Sequence, residues 1–333
     1  MMTEIRQKVL RVKERLYGGL IPAVPVPRYR NGKIHAEAQR SYAAYLCAQN
    51  IAGVSVWVHT GRGLHLSREE RALVIGTWKE CLGPDQLLIA GAGARPDPAL
   101  NGADRVEAWR RDSLFMAEEA RRAGADALLV FPPAILNGLE ERERNDAIVE
   151  YHRELAEAGL PLILFYLYEE AGGVKYPAAL LRELLTFPQV AGIKMAALDS
   201  VMTLQEVAFL LRNEFPDKLL ITGEDRMFGY SLMCGATAAL VGLGAAYPNI
   251  QSDLISAYLT RDYARFMDLS ARVDGYARTV FTPPMDKYIL RLLTCLGAGG
   301  MLPSEAFYDI AGFDMREDEA ERLRSAIHEY GVY

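Results

Sequence analysis

Eight short apolar runs, each followed by a longer stretch with helical periodicity, fill the chain from about residue 18 to about residue 260. The runs are Gly19–Pro25, Ala52–Val58, Gln86–Gly91, Ala125–Phe131, Pro161–Tyr166, Val190–Lys194, Lys218–Gly223 and Thr237–Gly242. They read as strands. Helices are expected near His35–Gln49, Ser67–Cys81, Asp104–Ala123, Leu139–Ala158, Pro177–Leu185, Val201–Arg212, Arg226–Cys234 and Asn249–Leu259. Ser67-Arg68-Glu69-Glu70 has the spacing of a capping box, in which the serine hydroxyl and the glutamate carboxylate each take up an orphan N–H of the first turn. Eight uninterrupted alternations predict a closed (β/α)8 TIM barrel over residues 1–260, because open doubly wound sheets usually stop at five to seven strands.

Beyond about Arg261 the strand signal ends. Tyr263–Tyr276, Lys287–Leu296, Pro303–Ile310 and Arg316–Tyr330 have helical patterns, predicting a C-terminal helical region, 261–333, packed on the barrel or on a partner subunit. A chain of 333 residues with 50% apolar and 24% charged residues has the composition of a soluble globular protein. A net charge of −6 and the lack of a basic run argue against nucleic acid or an anionic membrane as partner, leaving small molecules. Cys47, Cys81, Cys234 and Cys295 form no C-x-x-C pair, so neither a zinc site nor a redox motif is expected, and the cysteines read as reduced. Met1–Arg15 is charged and helical in pattern, without the apolar core of a signal peptide, and no stretch has the length of a membrane span. A cytoplasmic location follows as the expectation.

Barrel active sites lie at the C-terminal ends of the strands. The second run closes in His59-Thr60-Gly61-Arg62-Gly63, the fifth in Tyr166-Leu167-Tyr168-Glu169, the sixth in Lys194 and the seventh in Gly223-Glu224-Asp225. Lys194 ends an apolar run, and only eight of the 37 basic residues are lysines. Burial disfavours an ammonium and leaves a neutral amine able to attack a carbonyl; the plainer reading is a strand-end lysine whose stem packs while its head reaches solvent. Tyr166, with a hydroxyl that both donates and accepts, is placed to move protons. Thr60 and the amides around Gly61 are placed to hold a carboxylate. Arg62 has a fork suited to a planar anion, or pairs with Glu69 or Glu70. Tyr168 and Glu169 are expected at the entrance, and Gly223 and Leu240 are taken with the substrate-binding set. Glu224 and Asp225 lack a third ligand for a metal and read as a charge pair at a helix N-terminus. His65, His152 and His328 belong to no motif that assigns them a role.

Taken together, these stretches resemble the dihydrodipicolinate synthase and N-acetylneuraminate lyase family of Schiff-base aldolases. Gly192-Ile193-Lys194 matches the family's G-I-K, and Tyr166 precedes Lys194 by the family's 28 positions. Gly19-Leu20-Ile21-Pro22-Ala23, Ile89-Ala90-Gly91-Ala92-Gly93-Ala94 and Cys234-Gly235-Ala236 resemble its first strand, its third strand and the approach to its eighth. The resemblance implies a lyase that forms an imine between Lys194 and a 2-oxo acid such as pyruvate or a 2-keto-3-deoxy sugar acid, with no other cofactor. Tyr166 would be its proton relay, and homodimers or homotetramers are implied. The chain departs from the pattern after strand two, where His59 replaces the first threonine of G-T-T-G-E, a relay position. Phe131-Pro132-Pro133-Ala134 lacks the tyrosine that many members contribute to a neighbouring subunit, Ala171 stands near the position of the synthase's carboxylate-binding arginine, and Leu167-Tyr168-Glu169 replaces N-x-P. These departures argue against dihydrodipicolinate synthesis itself and motivate a rival reading, a non-catalytic barrel that binds a 2-oxo acid.

Overall fold

A strand overlaps each of the eight apolar runs in the computed structural model, which describes residues 2–198 and 200–332, and the third, fifth and sixth strands run one or two residues past the expected ends. Met1, at the head of the expected N-terminal helix, Asp199 and Tyr333 lie outside the described residues. The strands are β1 (Leu20–Pro22), β2 (Gly53–Val56), β3 (Leu87–Ala92), β4 (Ala127–Val130), β5 (Leu162–Leu167), β6 (Val190–Ala196), β7 (Leu219–Thr222) and β8 (Ala238–Val241). All pair in parallel, in the order β1-β8-β7-β6-β5-β4-β3-β2. A bridge between Ala23 and Ser55, flanked by Ala52 N–H to Leu20 O at 2.9 Å and Val24 N–H to Ser55 O at 3.1 Å, joins β1 to β2 and closes the barrel.

Side chains alternate across each strand. Ile21, Ile89, Leu129, Ile163, Ile221 and Leu240 fill the barrel interior, while alternate residues such as Leu128, Val130, Leu164 and Met195 pack outward against the helices. Helix α1 (Met2–Leu16) contributes Ile5, Val9, Val12 and Leu16 to the interior cluster, an end-closing role that its charged pattern did not announce. The outer layer consists of α2 (Ala36–Cys47), α3 (Arg68–Cys81), α4 (Gly102–Arg122), α5 (Glu141–Ala156), α6 (Ala178–Leu185), α7 (Val201–Glu214), α8 (Phe228–Met233) and α9 (Asn249–Leu259). The capping box forms as its spacing predicts: Ser67 Oγ accepts from Glu70 N–H at 3.2 Å, and Glu70 Oε2 accepts from Ser67 N–H at 2.9 Å.

Helices α10 (Tyr263–Val280), α11 (Tyr288–Ala298) and α12 (Glu317–Glu329) follow. The helix expected at Pro303–Ile310 is replaced by a single 3-10 turn, Ser304–Ala306. Its backbone pairs instead with Arg28, which bridges to Phe307 and accepts from Tyr308 N–H at 3.3 Å. Among the described residues no helix is long and apolar enough to cross a membrane.

Candidate active site

Lys194 lies near the C-terminal end of β6, opposite Phe165 of β5 and Ile221 of β7. Its side chain points into the barrel mouth with only 7% of the residue exposed, and Nζ sits 4.3 Å from the centroid of the Phe165 ring. The stem reaches this position because residue 223 is glycine: a Cβ there would stand 2.4 Å from Lys194 Cε. Burial pushes the Lys194 pKa down to about 8, against the opposing pull of the Asp225 and Glu224 carboxylates. The ring below attracts the ammonium but does not restore its hydration.

A cavity of about 550 Å³ opens over this amine, and Lys194, Gly223, Thr60, His59 and Tyr168 all line it. His59 and Thr60 begin a 3-10 turn (His59–Gly61), whose leading N–H groups have no acceptor within the turn itself. Thr60 Oγ1 lies 3.0 Å from the hydroxyl of Tyr288, and His59 Nδ1 lies 3.1 Å from the same oxygen. Burial, with the Arg62 charge next in weight, lowers the His59 pKa to about 4, so the imidazole is neutral at pH 7. Burial also raises the Tyr288 pKa far above the usual phenol value, keeping it a protonated hydroxyl.

Four sequence expectations are corrected by this geometry. Tyr166 does not share the cavity with Lys194. Its neighbours Phe165 and Leu167 line the cavity, so alternation turns Tyr166 outward, where its ring meets Tyr176 with centroids 5.6 Å apart. The amides after Thr60 are consumed by the turn: Gly61 N–H and Gly63 N–H both donate to Val58 O at 3.0 Å, and Arg62 N–H donates to His59 O at 3.0 Å. Leu240 is fully buried in the barrel interior, and the residue on the same side that reaches the cavity is Gly242, two positions on and just past the end of β8. Arg62 lines the cavity but pairs with neither Glu69 nor Glu70. Its Nε and Nη2 donate to Asp309 at 3.0 and 2.6 Å, and Nη1 donates to Asp286 at 2.7 Å, so two carboxylates already occupy the fork.

Glu224 and Asp225 also differ from their expected role. Glu224 Oε1 accepts from Ala197 N–H at 2.6 Å and Asp225 Oδ1 accepts from Leu243 N–H at 2.7 Å, tying the loops after β6 and β8 to the end of β7. Burial raises the two carboxyls to about 7 and about 6. Glu169 faces solvent, paired with Lys175 at 3.2 Å, and Glu170 is the acid that lines the cavity.

Sequence reasoning missed Phe281, Met285 and Asp286, which reach the cavity from the segment joining α10 to α11, and Tyr288, the first residue of α11. The available signal was Thr282-Pro283-Pro284, a break between two helical stretches, which marks a turn without revealing what it turns toward. Among the described residues no group of three or more His, Cys, Asp or Glu side chains is placed to hold a metal ion.

Comparison with known proteins adds to this geometry. The sequence profile of the dihydrodipicolinate synthetase family matches residues 16–298. A 4-hydroxy-tetrahydrodipicolinate synthase of Synechococcus sp. is 28% identical over 256 residues, 76% of this chain and 77% of that protein. The crystal structure of N-acetylneuraminate lyase from Mycoplasma synoviae superposes with a TM-score of 0.76 at 19% identity, covering 96% of this chain and 99% of the other. A prophage protein of the dihydrodipicolinic acid synthase family from E. coli K12, solved in complex with pyruvate, superposes with a TM-score of 0.78 at 17% identity, covering 95% and 99%.

Proposed function

Because the chain belongs to the dihydrodipicolinate synthetase family, whose members are Schiff-base-forming lyases and aldolases, we propose that it is a class I aldolase or related dehydratase whose imine-forming amine is Lys194. The observation that carries this reading is a lysine of depressed pKa held inside the cavity at the barrel mouth by a glycine that makes room for its stem. At a pKa of about 8, roughly a tenth of the amine is neutral at pH 7, enough to be nucleophilic without a dedicated base.

The chemistry then follows. The Lys194 nitrogen attacks the C2 carbonyl of a 2-oxo acid, the carbonyl oxygen leaves as water, and the resulting iminium withdraws electrons from C3. Cleavage of the C3–C4 bond, with the C4 hydroxyl losing its proton, releases an aldehyde and leaves an enamine; loss of a hydroxyl group instead gives a dehydration. Thr60 and the leading amides of the His59–Gly61 turn suit the substrate carboxylate. The cavity far exceeds what pyruvate needs. Its outer wall carries Glu170 and Asp286, and Arg62 is neutralised by Asp286 and Asp309. Among the described residues that line the cavity, a second substrate carboxylate finds no cation besides Lys194 and the already paired Arg62, whereas the hydroxyls of a 2-keto-3-deoxy sugar acid find acceptors.

Borohydride reduction in the presence of pyruvate and of longer 2-oxo acids, followed by peptide mass spectrometry, tests the reading. The expected result is a reduced adduct on Lys194 that the Lys194→Ala variant lacks. A folded wild-type protein that yields no adduct with any of them is instead a barrel that binds without imine chemistry, and the proposal falls.

A further inference from the structure

Imine formation needs a proton carrier near the reacting carbon, and the residue of β5 that faces Lys194 is Phe165, which carries no exchangeable proton. We infer that Tyr288, brought over the cavity by the segment between α10 and α11, is the proton relay of imine formation, working through a chain that joins Thr60, Tyr288 and His59. The inference rests on the imine reading of Lys194 given above.

The geometry is that of a relay. The Tyr288 hydroxyl is within hydrogen-bond distance of two partners at once, Thr60 Oγ1 at 3.0 Å and His59 Nδ1 at 3.1 Å, and all three residues line the cavity that holds Lys194. Each member both donates and accepts: two hydroxyls, and an imidazole that burial keeps neutral, with one protonated nitrogen and one free. A proton can therefore enter one end of the chain and leave the other without an ionised intermediate. The ring is held in place by Phe281, stacked at 4.7 Å, and by the His59 ring, parallel at 6.1 Å. Gly242 leaves the space it occupies, since a Cβ there would stand 3.2 Å from Tyr288 Cε2 and 3.4 Å from Thr60 Oγ1.

The step balances as follows. When the C–N bond forms, the lysine nitrogen releases one proton, which the chain passes to the former carbonyl oxygen to give the carbinolamine. Tyr288 then donates its hydroxyl proton to that hydroxyl as the C–O bond breaks and water departs, and the second proton of the nitrogen returns through the chain to Tyr288. The net change is amine plus ketone to imine plus water, with no other reactant.

Rapid mixing with pyruvate, borohydride quenching and quantitation of the Lys194 adduct against time measure the rate directly. Tyr288→Phe is expected to slow adduct formation by about 10²- to 10³-fold while the final adduct level stays near that of the wild type. His59→Gln, which keeps one donor and one acceptor but cannot pass a proton between them, is expected to slow it at least about tenfold. Wild-type adduct formation is expected to slow in deuterium oxide, and Tyr288→Phe to lose that sensitivity. Either variant forming adduct within about threefold of the wild-type rate overturns the relay, as does a wild-type rate unaffected by deuterium oxide. A wild-type protein that forms no adduct overturns the imine reading itself and takes the relay with it, so the two failures are distinguishable.

Discussion

At Lys194 two forces oppose each other. Burial in the barrel mouth strips water from the ammonium, while the Phe165 ring and the Asp225 and Glu224 carboxylates return part of what is lost. The net depression to about 8 corresponds to about 3 kcal/mol of destabilisation at pH 7, because the folded state holds a proton less tightly than the unfolded chain does. Between about pH 8 and the ordinary lysine value the unfolded state binds more protons, so stability rises with pH across that window. The penalty is full below it and gone above it. Lys194→Met is therefore expected to raise the urea midpoint at pH 7 by the equivalent of about 3 kcal/mol, with the advantage shrinking to about 1 kcal/mol or less at pH 10. An equal advantage at both pH values would mean that the lysine is not desolvated. That conflict was legible in the sequence, where a rare lysine interrupts an apolar run. Tyr288 was not, since nothing local distinguishes it from the other tyrosines of the chain.

At the scale of the element, strand parity decides what a spacing means. The β5–β6 register slips between Leu162 and Ile163: Leu162 faces Val190, but Ile163 faces Gly192. The extra β6 residue puts Phe165, not Tyr166, opposite Lys194, and a slip of one residue turns a side chain to the other face of the sheet. Reading the strands from their apolar runs succeeded because burial imposes that pattern along the chain. A bulge leaves no such trace, so the interval between Tyr166 and Lys194 was readable while its geometric consequence was not. The expected outcome is that Tyr166→Phe forms the Lys194 adduct within about twofold of the wild-type rate, in the same rapid-mixing measurement. A large loss of rate would return Tyr166 to the site.

At the scale of the whole molecule, the cavity is roofed by residues remote in sequence from the barrel strands, held by a buried ionic cluster. Arg291 is almost fully buried; its Nη1 donates to the carbonyls of Val280, Thr282 and Pro284 at 3.1, 2.6 and 3.3 Å, and its Nε donates to Glu319 at 2.8 Å. Lys287, next to Tyr288, pairs with the same carboxylate. The guanidinium thus fixes the backbone of the segment that carries Phe281, Met285 and Tyr288, and the carboxylate of α12 bridges both cations. Periodicity predicts that these helices exist but not where they dock, because charge pairing between residues 28 or more positions apart has no signature in a local window. Glu319→Ala leaves two buried cations without a counter-charge and is expected to lower stability by about 3–5 kcal/mol, read from the urea midpoint. Removing the exposed partner in Glu317→Ala, which pairs with Arg324 at the surface, is expected to change it by less than about 1 kcal/mol. If the cluster also fixes the roof, Glu319→Ala slows Lys194 adduct formation at temperatures where it remains folded, whereas Glu317→Ala does not. Equal rates in the two variants would show that the roof holds its position without the cluster.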